Sequence, residues 1–167
     1  MNLPWQLDRI DARVTAWMAR HGIAFTRVAL GIIFLWFGVL KFFPDLSPAT
    51  DLAIRTTTRL TRGLISPELG LKLLAAWEVL IGLGLLTGKF LRATLLLLFV
   101  QMAGTMLPLL FFPHETFRAF PYAPTLEGQY IIKNLVLVSA AIVVGATVRG
   151  GRLTPAPTGT RVSATAK

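Results

Sequence analysis

Residues 130–146 read YIIKNLVLVSAAIVVGA. The run is nearly all Ile, Val, Leu and Ala, as a membrane-crossing helix would be, yet Lys133 and Asn134 stand one turn inside its start. A lysine at the bilayer centre costs about 2.5–3.5 kcal/mol on insertion scales, and less where it can reach the surface. Either a partner compensates this charge or the residue lies near the interface.

Three similar runs precede it. Spanning about 30 Å of hydrocarbon takes about 20 helical residues, and the stretches 23–43, 69–86, 90–112 and 130–148 meet or approach that length. The turn TGK (87–89) forces the second and third into an antiparallel hairpin, and Pro108 is expected to kink the third near its end. Composition agrees. Of 167 residues 54% are hydrophobic and mean hydropathy is +0.63, against about 45–50% apolar in soluble domains. The fold class expected is therefore all-α, an integral membrane four-helix bundle of one domain.

The chain has no cysteine, which excludes disulfides, thiol relays and thiolate metal sites. Two histidines, His21 and His114, are too few for a metal or haem centre, so no metal is expected. The +9 charge falls between the apolar runs, a membrane-topology pattern and not a nucleic-acid footprint. No Walker loop, dinucleotide fingerprint, nucleophile elbow or zinc spacing is present.

Segments flanking the spans are amphipathic. In 1–22, Leu7, Ile10, Val14 and Trp17 recur at 3–4 spacing while Arg9, Arg13 and Arg20 lie off that stripe. This predicts an interfacial helix anchored by Trp5 and Trp17, with a helix packed on a partner protein as the alternative. The first span is expected to act as an uncleaved signal. Between spans one and two, Ser47-Pro48 and Ser66-Pro67-Glu68 each place an N-cap serine before a proline. The first opens a helix to about Arg62, ended by Gly63, with Leu52, Thr56, Leu60 and Leu64 on one side and Arg55, Arg59 and Arg62 on another. Those arginines are expected to meet lipid phosphates. The loop 113–128 carries Phe117, Phe120 and Tyr122 and should hug the interface, while the basic tail 151–167 is expected to be disordered.

With the N-terminus inside, ten basic residues (Arg9, Arg13, Arg20, Arg27, Lys89, Arg92, Arg149, Arg152, Arg161, Lys167) lie on the cytoplasmic side and six (Lys41, Arg55, Arg59, Arg62, Lys72, Arg118) outside. That balance favours cytoplasmic termini.

Each span also contributes a polar group to the outer half or the midplane: Lys41, Glu78, Gln101, and Lys133 with Asn134. Separate charges facing lipid would each be costly, so these residues should converge, with Lys133 within reach of Glu78 and Lys41 close by. Two readings stand. In one, the cluster only fixes helix registry. In the other it forms a pocket for an amphipathic ligand or a proton relay, because one carboxylate facing two lysines leaves positive charge for a carbonyl, phenolate or carboxylate. His114 reads as an ordinary loop residue, and the aromatics of FLWFG (34–38) as lipid-facing or packing groups.

RVALGIIFLWFGVLKF (27–42), with Arg27, Gly31, Gly38 and Lys41, resembles the opening helix of the DoxX-like family of small four-helix bacterial inner-membrane proteins. LLAAWEVLIGLGLLTGKFLRAT (73–94), with Glu78, resembles that family's second helix, and GQYIIKNLVLVSAAIVVGA (128–146) is similar to the closing helix of a related uncharacterised branch. The resemblance covers about 23–150. It implies a four-helix bundle and an association with membrane redox and oxidative-stress systems, including a subunit type of thiosulfate:quinone oxidoreductase. Some relatives use cysteine pairs, which this chain lacks, so a redox role would rest on a partner subunit or on a quinone as the redox-active group. The expectation is an accessory subunit, at most a membrane subunit of a quinone-linked oxidoreductase, binding a quinone-like or lipid-like molecule and no covalent cofactor. Its partners would be membrane lipids and a redox subunit or further copies of itself, without nucleic acid. The alternatives are a proton-coupled small-solute transporter with Glu78 as carrier, and a scaffold without a ligand.

Overall fold

The computed structural model describes residues 5–43, 46–47 and 50–154. Its elements are α1 (Trp5–Leu40), α2 (Thr50–Leu60), α3 (Pro67–Thr87), α4 (Leu91–Phe111), α5 (Pro113–Thr116), β1 (Phe117–Ala119), β2 (Ala123–Pro124) and α6 (Leu126–Ala146). Helices α1, α3, α4 and α6 are each long and apolar enough to cross a membrane. Only a minority of each apolar window is buried inside the protein, 39% at most. The remaining apolar surface fits lipid as the solvent. The chain is an all-α membrane bundle, with one small antiparallel ribbon, β1–β2, at one end.

Capping chemistry sets the ends. Ser66 accepts a hydrogen bond from Leu69 N–H and Pro67 occupies the first turn of α3, as the sequence predicts. Gly88 closes α3 in the left-handed conformation at φ 69°, and Phe90 at φ 52° turns the chain into α4. α4 runs three residues past Pro108. α6 begins four residues before the hydropathy signal, because Thr125 caps it by accepting from Gly128 N–H. Pro48, half of the expected cap of α2, lies outside the described residues, as do residues 155–167 of the expected tail; 151–154 have no regular structure.

α1 is continuous across the expected boundary at residue 22. Its bundle half packs antiparallel on α3 with backbones nearly touching. A Cβ on Gly82 would stand 2.5 Å from Leu35 N, and one on Gly38 2.8 Å from Val79 N. Where α1 passes the end of α3, Arg27 donates to the carbonyls of Leu85 (2.5 Å) and Leu86 (3.3 Å). Those carbonyls belong to the last turn, which no intrahelical N–H satisfies, and they form the negative end of the helix dipole. The shared core holds Leu30, Phe34, Ile81, Leu85, Leu95, Leu98, Met102, Ala141 and Val144.

α2 does not present all its arginines outward. Arg55 pairs with both carboxylate oxygens of Glu115 (2.7 and 2.5 Å), lies 2.9 Å from Asp51 and stacks over Phe112. Arg59 donates to Phe111 O at 3.0 Å and lies over the Phe111 ring. Where lipid phosphates were expected for Arg55 and Arg59, the structure gives both an intramolecular acceptor, Glu115 of α5 for the first and the Phe111 carbonyl at the end of α4 for the second. Arg62 is exposed beyond the helix end. In the loop the expectation divides as well, since Phe117 is buried while Phe120 and Tyr122 are exposed.

Two outcomes follow from this packing. Gly82→Val should lower thermal stability in detergent by at least the ~1–3 kcal/mol typical of overpacking, whereas Gly104→Ala, whose added methyl meets nothing within 4 Å, should not. The second concerns pH. The Arg55 hydrogen bonds hold the Glu115 carboxyl below its ordinary range, so the clamp is complete above the ordinary carboxylate pKa of about 4.3 and is lost as pH falls through the lowered folded value. Amide protection factors in α2 should therefore fall on acidification, and Glu115→Gln should show the loosened α2 already at neutral pH.

Candidate functional site

The centre of the bundle holds a polar cluster. Glu78 falls on the buried face of α3, in phase with Leu71, Ala75, Ile81 and Leu85. Lys41 follows the last residue of α1 and donates to Glu78 Oε2 at 2.6 Å, with the two side chains 11% and 9% exposed. Gln101, on the buried face of α4, donates from Nε2 to Glu78 Oε1, also at 2.6 Å. The carboxylate is thus held at both oxygens. Gln101 Oε1 is buried and has no hydrogen-bond partner among the described residues.

An unpaired buried acceptor costs about 1–3 kcal/mol, and native proteins rarely leave one without a water or ligand. Lys41 carries three N–H donors and spends one on Glu78. The cluster therefore offers a free acceptor and spare donors beside a fixed negative charge, a combination that matches a group bearing both hydroxyl and carbonyl character.

Lys133 is elsewhere. It is exposed, with its ammonium 5.0 Å from the Tyr130 ring centroid, and forms no salt bridge among the described residues. The expected contact with Glu78 rested on matching heights along the helices. Height was adequate, but at this level α6 turns Ile131 and Asn134 toward the bundle, and Lys133 lies about 160° from Ile131 and about 100° from Asn134 at 100° per residue. The charge is accommodated at the surface with an aromatic neighbour. Asn134 does face inward, donating from Nδ2 to Thr105 Oγ1 at a long 3.5 Å, one turn beyond Gln101 on α4. Of the five expected residues, Lys41, Glu78 and Gln101 meet; Asn134 joins the neighbouring turn; Lys133 does not take part.

The pairing also reveals a stagger. Glu78 lies eleven residues into α3, about 16 Å below its start at 1.5 Å per residue, yet its partner sits at the end of α1. α1 therefore flanks only the second half of α3. At the first half α2 packs instead, with Thr57 against Gly70. Sequence reading missed this, and with it the role of Arg27, whose pairing with a helix end has no signal in hydropathy.

The DoxX family model matches residues 22–114, more than half of the chain. The chain belongs to the DoxX family. No curated protein and no solved structure matches it. The DoxX match runs from the middle of α1 through the start of α5, so Lys41, Glu78 and Gln101 lie inside it while Lys133 and Asn134 lie outside. All four motif residues quoted for the first helix, Arg27, Gly31, Gly38 and Lys41, touch α3.

Removing one member of the buried pair leaves the other charge uncompensated, which costs about 3–5 kcal/mol when burial is complete. Lys41→Met and Glu78→Gln should each lower thermal stability sharply, and the double variant should recover much of the loss. Lys133→Met should stay within about 0.5 kcal/mol of the parent. Additive losses at Lys41 and Glu78 in a detergent melting series would show that the pair does not act as a unit.

Proposed function

We propose that this DoxX protein is a small accessory subunit of a membrane redox or oxidative-stress system, binding a quinone-like or lipid-like amphipath between its helices beside Lys41, Glu78 and Gln101. The observation that carries the reading is the buried, unpartnered Gln101 Oε1 next to an ion pair whose lysine retains free donors. A quinol hydroxyl would donate to Gln101 Oε1, and a quinone carbonyl would accept from Lys41. Ring and tail would lie among apolar side chains, the usual composition of such sites.

Without cysteine the chain has no thiol redox chemistry of its own, so in this reading electrons would pass between the bound molecule and a partner subunit. The protein is proposed to reside in a bacterial inner membrane, as the family resemblance implies, with both termini cytoplasmic, an orientation that the distribution of its basic residues supports. The proton-coupled transporter is the weaker alternative. Both oxygens of Glu78 are already bonded inside the protein, whereas a carrier carboxyl must be released alternately to the two sides.

Native mass spectrometry of the gently solubilised protein tests the assignment. A retained quinone or other amphipath should be present in the parent, reduced in Gln101→Leu at unchanged fold, and unaffected by Lys133→Met. A parent free of any such adduct, or one equally loaded in Gln101→Leu, would remove this function from the cluster.

A further inference from the structure

Because α1 meets the end of α3 at Arg27, residues 5–26 extend past the bundle as one uninterrupted helix, about 33 Å long at 1.5 Å per residue. Along this arm Leu7, Ile10, Val14, Trp17 and His21 recur at alternating steps of three and four. That is the a/d spacing of a two-stranded helical seam. The first four are between 44% and 58% exposed, and Trp17 stacks on His21 and Phe25 along the same side.

We propose that this stripe is the contact surface for the arm of a second copy of the same chain, forming a parallel two-helix seam at the terminal end of the bundle. Two observations select that occupant. The first is direction. The arm is continuous with a membrane-crossing helix, so it projects along the span and does not lie flat on lipid, and two copies inserted the same way present their arms in parallel. The second is charge. At 100° per residue, Asp11 falls on one flank of the stripe with Asp8 behind it, and Arg13 and Arg20 fall on the other. A two-fold axis along parallel helices brings the acidic flank of each arm against the basic flank of its partner, whereas an antiparallel pairing would set like against like. The seam has few heptads for an isolated coiled coil, but anchoring both copies in one membrane raises their effective concentration.

The absence of cysteine makes the test direct. Single-cysteine variants Val14→Cys, in the stripe, and Ala16→Cys, on the opposite side, are reconstituted in proteoliposomes at low protein-to-lipid ratio and mildly oxidised. Disulfide-linked dimer is expected at least fivefold more from position 14 than from position 16. Adding Asp11→Arg to Val14→Cys should lower the yield, and adding Arg13→Asp to that variant should restore it. Equal yields at the two positions, or no dimer from either, would overturn the proposal. So would quenching, by nitroxide-labelled lipids, of a fluorophore attached to the Val14→Cys variant. That result would mean that the helix bends, with Gly22 the weakest point, and the stripe rests on the membrane.

Discussion

The seam between α1 and α3 fixes most of what this protein is. Four contacts run down it: Arg27 on the terminal carbonyls of α3, Gly31 against Leu86, Gly38 against the backbone of Glu78 and Val79, and Lys41 on the Glu78 carboxylate. Without a hydrophobic driving force between helices in lipid, association depends on close packing and polar pairing, and this seam has both. The glycines let the backbones approach, and the two cationic residues at its ends set the register. A shift of one turn would separate Lys41 from Glu78 and Arg27 from the helix end together. Everything placed by α3, including the Gln101 contact and the docking of α2, inherits that register.

The chain's architecture was legible because hydropathy is a property of runs, and each of the four spans is a run. The cluster was only half legible. Placing Lys41, Glu78 and Gln101 together required just the idea that intramembrane polar groups converge. Placing Lys133 required knowing which way α6 faces, and its apolar residues surround the helix so completely that no buried face stands out in the sequence. The intramolecular bonds of Arg55 and Arg59 were illegible for a related reason. An arginine near a membrane suits a phosphate, yet Glu115 and the carbonyl of Phe111 also accept from these two, and no sequence pattern brings residues so far apart in the chain together. Thr125 was readable in hindsight, as an N-cap with Glu127 in the following turn.

The α2 clamp and the buried pair differ in kind. Arg55 and Glu115 are each roughly half exposed, so their pairing is screened by salt and serves to position α2. Lys41 and Glu78 are enclosed, and their bond answers a desolvation cost that neither residue could meet alone. The exposed pair tunes one end of the bundle; the enclosed one is a condition for the bundle's centre to exist.

The near-contact of the α1 and α3 backbones also makes the bundle one-sided toward its solvent. Where Gly82 meets Leu35 no acyl chain fits between the two helices, and Trp77 Nε1 bonded to Leu97 O ties α3 to α4. These faces form a wall. On the other side α4 and α6 pack through Leu95, Leu98, Ala141 and Val144, but toward Asn134 and Thr105 their bond is at the limit of hydrogen-bonding distance and the space beside Gly104 is open. For the amphipath proposed above, that opening between the third and fourth spans, one turn from Gln101, is where it would enter sideways from the bilayer.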